Sequence, residues 1–277
     1  MTLNTEQTRT ASPAPAGTAK LQTESVSIGY DKRLISEDLS VHIPEGSFTV
    51  IVGPNACGKS TLLRALARLL KPSTGHVLLD GGDISKLGTK ELARRLGLLP
   101  QTSIAPDGIR VADLVARGRY PHQGVFDRWS ATDEAAVVAA LAATKTTELS
   151  GRLVEELSGG QRQRVWVAMV LAQETGAVLL DEPTTYLDIA HQIDVLELFR
   201  ELNRSNGQTL VAVLHDLNHA ARYATHVIAM KDGKIMASGP PAEVITEDLV
   251  EEVFSLPCKI IEDPVTGSPL VIPLGKP

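Results

Sequence analysis

The stretch "GPNACGKST", residues 53–61, decides how this chain is read. Gly53 and Gly58 bracket Pro54, Asn55, Ala56 and Cys57, and Lys59, Ser60 and Thr61 follow at once. Glycines let backbone N–H groups turn toward an anion with no side chain in the way. A helix that starts there adds its positive end. Lys59 would neutralise the β- and γ-phosphates of a nucleotide, and Ser60 would place its hydroxyl on Mg²⁺. Ala56 stands where many such loops carry glycine, which is tolerable only if that position has no need of positive φ. Chance produces this spacing in on the order of one in a hundred chains of this length. The flanking sequence must therefore decide.

Just before the loop, "SFTVIVG" (47–53) is a short apolar run, the pattern of a strand buried on both faces. Just after it, Leu62, Leu63, Leu66, Leu69 and Leu70 form one helical stripe, which Pro72 and Gly75 are expected to end. A buried strand, a glycine loop and a helix in that order give the motif a mechanism.

The 277 residues are 43% apolar and 22% charged, enough for a full core in one large domain or two modest ones. A net charge of −6 argues against a nucleic-acid partner. No apolar run reaches the roughly 20 residues of a membrane span. Residues 1–20 lack a secretory apolar region and read as a disordered tail. Cys57 and Cys258 are the two cysteines, so a disulfide framework is not expected and a reducing cytoplasm is. Any membrane connection would come through a partner.

Alternating strands fill "LQTESVSIGY" and "DLSVHIPEG", with Leu39, Val41 and Ile43 on one face. We divide the chain into a first core part (21–102), a helical insert (103–163), a second core part (164–240) and an extension (241–277). The insert is rich in alanine and charge, and Thr132, Asp133 and Glu134 suggest a helix start there. Strand character returns at "AVLLDEP" (177–183) and "TLVAVLHD" (209–216).

"AVLLDEP" delivers Asp181 and Glu182 at a strand's carboxyl end, where α/β sheets hold ligands. Asp181 would act on Mg²⁺ through its water shell, and Glu182 would deprotonate an attacking water. "LSGGQ" (157–161) is rarer, arising by chance in on the order of one in several thousand chains. Ser158, Gly159, Gly160 and Gln161 open a second helix, which makes a second anion-binding start. One nucleotide needs one cradle. The second is expected to cap the nucleotide of another chain.

With these motifs in order, residues 21–240 resemble the ATP-binding cassette (ABC) family, the nucleotide-binding half of ABC transporters. The resemblance implies an α/β P-loop NTPase (RecA-like) core, an antiparallel β subdomain and an inserted α-helical signature subdomain. It implies Mg-dependent ATP hydrolysis by a head-to-tail homodimer. In that arrangement Tyr30 stacks on adenine, Gln101 contacts Mg²⁺ and the attacking water, and His215 contacts the γ-phosphate. Ser158 to Gln161 and Asp188 act across the dimer. Tyr186 departs from the commoner small residue at its position.

Three segments, "RGRYPHQGVFDRW" (117–129), "TTYLDIAHQIDVLELFRELN" and "EDPVTGSPLVIPLG", are similar to ferric-siderophore importers. The implied partners are an integral-membrane permease and, indirectly, a substrate-binding protein, at the cytoplasmic face of the cell membrane. Haem and cobalamin importers are the near alternatives, and a soluble non-transport ABC ATPase is the distant one.

Overall fold

The computed structural model describes residues 19–275 apart from 32, 103, 125–127 and 186. The proposed tail lies outside that range except for its last two residues, which open a strand.

β1 (Ala19–Tyr30) and β2 (Arg33–Pro44) pair antiparallel, and Leu39, Val41 and Ile43 share the buried face of β2. All five residues of β3 (Phe48–Val52) are buried. Phe48, Val50 and Val52 pack into one apolar cluster, and Ile51 packs into a second on the opposite face. This is the double-sided burial that the apolar run predicts.

α1 (Lys59–Leu66) is shorter than the leucine stripe predicts. Leu62, Leu63 and Leu66 are buried, but Leu69 is 66% exposed. Arg68 ends the helical course with φ 58°, and its guanidinium donates to the carbonyls of Ile84 and Leu87. The helix therefore stops at an anchored arginine well before Pro72. β4 (Thr74–Leu79) and β5 (Gly82–Asp83) then complete an antiparallel sheet of order β2-β1-β4-β5.

After α2 (Thr89–Ala93) and β6 (Leu96–Leu99) the chain enters helices: α3 (Val111–Ala116), α4 (Ala131–Ala143) and α5 (Gly159–Leu171). The cap of α4 is Ser130, not Thr132. Ser130 Oγ accepts from the Asp133 N–H, and the Asp133 carboxylate accepts from the Ser130 N–H, both at 3.1 Å, forming a capping box. α5 runs past position 163, because Val165 to Val170 continue to pack into the same cluster. Arg119 is buried rather than part of a basic surface. It pairs with Asp133 at 2.9 Å and Glu174 at 2.6 Å and donates to the Ala172 carbonyl. A buried guanidinium persists because its Nε and Nη1 meet two carboxylates and a carbonyl.

β7 (Ala177–Asp181), α6 (Ile189–Asn206), β8 (Thr209–Val213), α7 (Leu217–Tyr223), β9 (His226–Lys231) and β10 (Lys234–Gly239) follow. The second sheet has the order β10-β9-β3-β8-β7-β6. Its pairs are parallel except β10 with β9, which turn at Asp232-Gly233 with φ of 47° and 76°. The extension is more than one strand. It comprises α8 (Pro241–Val244), α9 (Glu247–Phe254) and a hairpin of β11 (Cys258–Glu262) and β12 (Pro269–Pro273). The Asn218 amide clasps β12, accepting from the Val271 N–H at 2.7 Å and donating to its carbonyl at 3.2 Å. Among the described residues no helix is long and apolar enough to cross a membrane.

Candidate functional site

The carboxyl ends of β3, β7 and β8 meet at one cleft of about 270 Å³. Asn55, Ala56, Gly58, Lys59, Ser60 and Thr61 line it from the loop, with Glu182 and His215 opposite. Arg33 and Ile35 of β2 close another side, and the sequence reading missed both. The signal was present in the antiparallel pairing of β2 with β1, which returns the chain beside Tyr30.

Close approach dictates Gly53: a Cβ there would lie 2.3 Å from the Met230 carbonyl oxygen. Gly58 opens α1 at φ 109°, a conformation that favours glycine. Ala56 overturns the expectation for its position. It takes φ 62°, in the left-handed region, at a cost of about 1–2 kcal/mol. Lys59 Nζ donates to the carbonyls of Gly53 and Pro54, each at 2.8 Å, which leaves one of its three donors for an anion. Burial lowers its pKa. Cys57 turns its thiol into the core beneath the loop, and the residue is not among those that line the cleft. Burial pushes that thiol's pKa up. Cys258 is buried too, and the two are free thiols.

Asp181 ends β7 and is only 6% exposed. Burial raises its pKa, and the nearby Ser60 hydroxyl acts in the opposite direction. Its Oδ1 is buried with no hydrogen-bond partner among the described residues. An orphaned carboxylate oxygen beside a serine hydroxyl suits a hard cation such as Mg²⁺. The residues present fit the metal.

Glu182, the next residue, takes φ 51°. Its Oε2 accepts from Gln101 Nε2 at 2.6 Å and from the Thr185 hydroxyl at 3.1 Å, while Oε1 meets His215 Nε2 at 2.8 Å. The structure thus brings together the three side chains read as catalytic. A carboxylate held from three sides at the mouth of a phosphate cleft can take a proton from water in a fixed direction.

Tyr30 stands at the end of β1, 41% exposed, its hydroxyl accepting from Arg64 of α1 at 2.9 Å. Ser158 caps α5, its Oγ accepting from the Gln161 N–H at 3.3 Å, and the Gln161 side-chain Oε1 accepts from the Ser158 N–H at 3.1 Å. Asp188 caps α6. Ser158, Gly159 and Asp188 are exposed, Gln161 is half-buried and Gly160 is buried, and none of the five is among the residues that line this cleft. Tyr186 lies outside the described residues.

The fold and this site define a P-loop ATPase. Residues 36–185 match the ABC transporter family. The ferric enterobactin transport ATP-binding protein FepC of Escherichia coli is 58% identical over 258 residues, covering 93% of this chain and 95% of that protein. The iron(3+)-hydroxamate import ATP-binding protein FhuC of Bacillus subtilis is 47% identical, covering 91% and 94%. Among solved structures, a dimeric ATP-binding cassette in a post-hydrolysis state with ADP and Pi matches with a TM-score of 0.69. That match has 27% identity and covers 79% of this chain and 98% of that one. The chain belongs to the ABC transporter family and is an ABC-type ATPase.

Proposed function

We propose that this ATPase drives import of a ferric siderophore. Two copies close head to tail around two ATP molecules at the cytoplasmic face of the cell membrane. A separate integral-membrane permease carries the iron chelate, delivered to it by a substrate-binding protein. Relatives named for ferric enterobactin and iron(3+)-hydroxamate, similar over nearly the whole chain, support that cargo class.

The observation that carries hydrolysis is the Glu182 carboxylate held between Gln101 and His215. The loop from Gly53 to Thr61, through its backbone N–H groups at every position but Pro54, and the Lys59 ammonium hold the phosphates. Tyr30 stacks on the base. Ser60, Gln101 and Asp181 would hold Mg²⁺, which would supply positive charge to the phosphate oxygens when bound. Glu182 takes a proton from a water whose oxygen attacks the γ-phosphorus. The bond from that phosphorus to the bridging oxygen breaks, and ADP departs with its electron pair, leaving inorganic phosphate. Gln101 aligns the water and His215 faces the γ-phosphate. Ser158, Gly159, Gly160, Gln161 and Asp188 of each copy cap the nucleotide of the other.

The helices between β6 and β7 form the signature subdomain and meet the permease. Tyr120, 66% exposed with the Lys90 ammonium 4.7 Å over its ring, is the anchor of that contact. Phe126, in the same 117–129 segment, lies outside the described residues. Tyr120→Ala should leave hydrolysis by the isolated subunit nearly intact and abolish both permease association and iron-chelate uptake in cells. Uptake of a ferric siderophore unaffected by deleting this gene, with haem uptake lost instead, would reassign the cargo.

A further inference from the structure

His191, in the first turn of α6, has no place in the scheme above. Its backbone N–H donates to Asp188 Oδ1 at 2.9 Å, and its ring Nδ1 lies 2.8 Å from the same oxygen. The two contacts, the backbone one foremost, hold the Asp188 carboxyl below its ordinary pKa. A carboxylate only accepts, so Nδ1 carries the hydrogen and the ring orientation is fixed.

The far edge of that ring lies against the signature turn. A Cβ built on Gly160 would lie 2.2 Å from His191 Cδ2 and 2.9 Å from its Nε2. A Cβ on Gly159 would meet nothing within 4 Å. The two adjacent glycines therefore answer to different needs: Gly160 admits the ring, and Gly159 leaves the outer backbone open. Further along α5, Gln163 Nε2 donates to the Pro183 carbonyl at 2.9 Å. The start of α5 is thus tied twice to the segment between β7 and α6.

We propose that His191 is a positioning residue that locks the signature turn, Ser158 to Gln161, to the Asp188 turn. The two elements that each copy offers to its partner's nucleotide then move as one. This rests on the head-to-tail pairing proposed above. A Gly-Gly helix start is conformationally loose, and ordering it on closure would oppose pairing. The imidazole orders it beforehand. Its loss weakens ATP-driven pairing without touching the groups that bind ATP in the open protomer.

The experiment uses the full chain carrying Glu182→Gln, which slows hydrolysis, and sedimentation velocity with Mg-ATP. His191→Ala is expected to raise the protein concentration for half-pairing about 10-fold, the scale of one hydrogen bond to a charged group. Binding of a fluorescent ATP analogue to the dilute protomer should not change. His191→Asn, whose Nδ2 keeps a donor to Asp188 but which has no ring edge to lie against Gly160, should be impaired like His191→Ala. Amide exchange over residues 158–162 of the nucleotide-free protomer should quicken in His191→Ala. Pairing at the parent concentration in His191→Ala would overturn the proposal, as would recovery of pairing by His191→Asn, which would assign the effect to the Asp188 contact alone. A parent that stays monomeric would remove the pairing itself and this proposal with it, whereas a parent that pairs and ignores His191 removes this one alone.

Discussion

Gln101 Nε2 donates to Glu182 Oε2 at 2.6 Å across 81 positions of chain. Gln101 follows the end of β6 and Glu182 follows the end of β7, and these strands are parallel neighbours. The parallel register therefore sets the two side chains at the same edge of the sheet. Hydrogen bonds to charged groups contribute about 1.5–3 kcal/mol. Gln101→Ala should lower kcat roughly 10- to 100-fold with a small change in KM for ATP. Steady-state kinetics on the purified subunit check this. A change confined to KM would mean that Gln101 binds the nucleotide and does not align the base.

Ala56 at φ 62° carries strain that a glycine would not. Ala56→Gly releases that strain and adds some freedom to the unfolded chain, for a net gain of about 0.5–1 kcal/mol. Urea unfolding of the two proteins measures it. A loss of stability would mean that the loop in solution holds this residue at negative φ.

Asp181 sets a pH dependence. Its folded-state pKa lies above the ordinary 3.8 because burial penalises the charged form. Its contribution to stability is therefore fully present below pH 3.8 and is lost as pH rises through the raised value. Asp181→Asn carries no such loss. Without nucleotide or metal, the melting temperature of Asp181→Asn should gain on that of the wild type as pH rises from about 4 toward neutrality. Mg-dependent hydrolysis should fall in the same variant. A melting difference independent of pH would contradict the assignment.

The strand, loop and helix around Gly53–Thr61 were legible in the sequence because each follows from local pattern. The apolar run of β3 spans five residues, and the phosphate loop is built from consecutive backbone groups. The β9–β10 hairpin was also legible in principle, since Asp232-Gly233 sits between two apolar stretches, but it was passed over. What depends on distant packing was not readable by pattern. Arg119 lies in a basic-looking segment, and only the arrival of Asp133 and Glu174 draws it inside. Cys57 sits in a loop beside the cleft, yet its side chain packs into the core cluster that holds Ile51 and Leu62, and the cleft is lined by its neighbours. The meeting of Gln101, Glu182 and His215 followed from family resemblance, since nothing local joins three strand ends.

The central claim is that Glu182 is the base of an ATP hydrolysis site assembled at the ends of β3, β7 and β8. Its most direct test is the turnover of Mg-ATP by Glu182→Gln, measured alongside equilibrium ATP binding. Removal of a general base predicts a fall of about 10²–10⁴-fold in kcat with the dissociation constant for ATP unchanged. Hydrolysis by Glu182→Gln at the wild-type rate would contradict it.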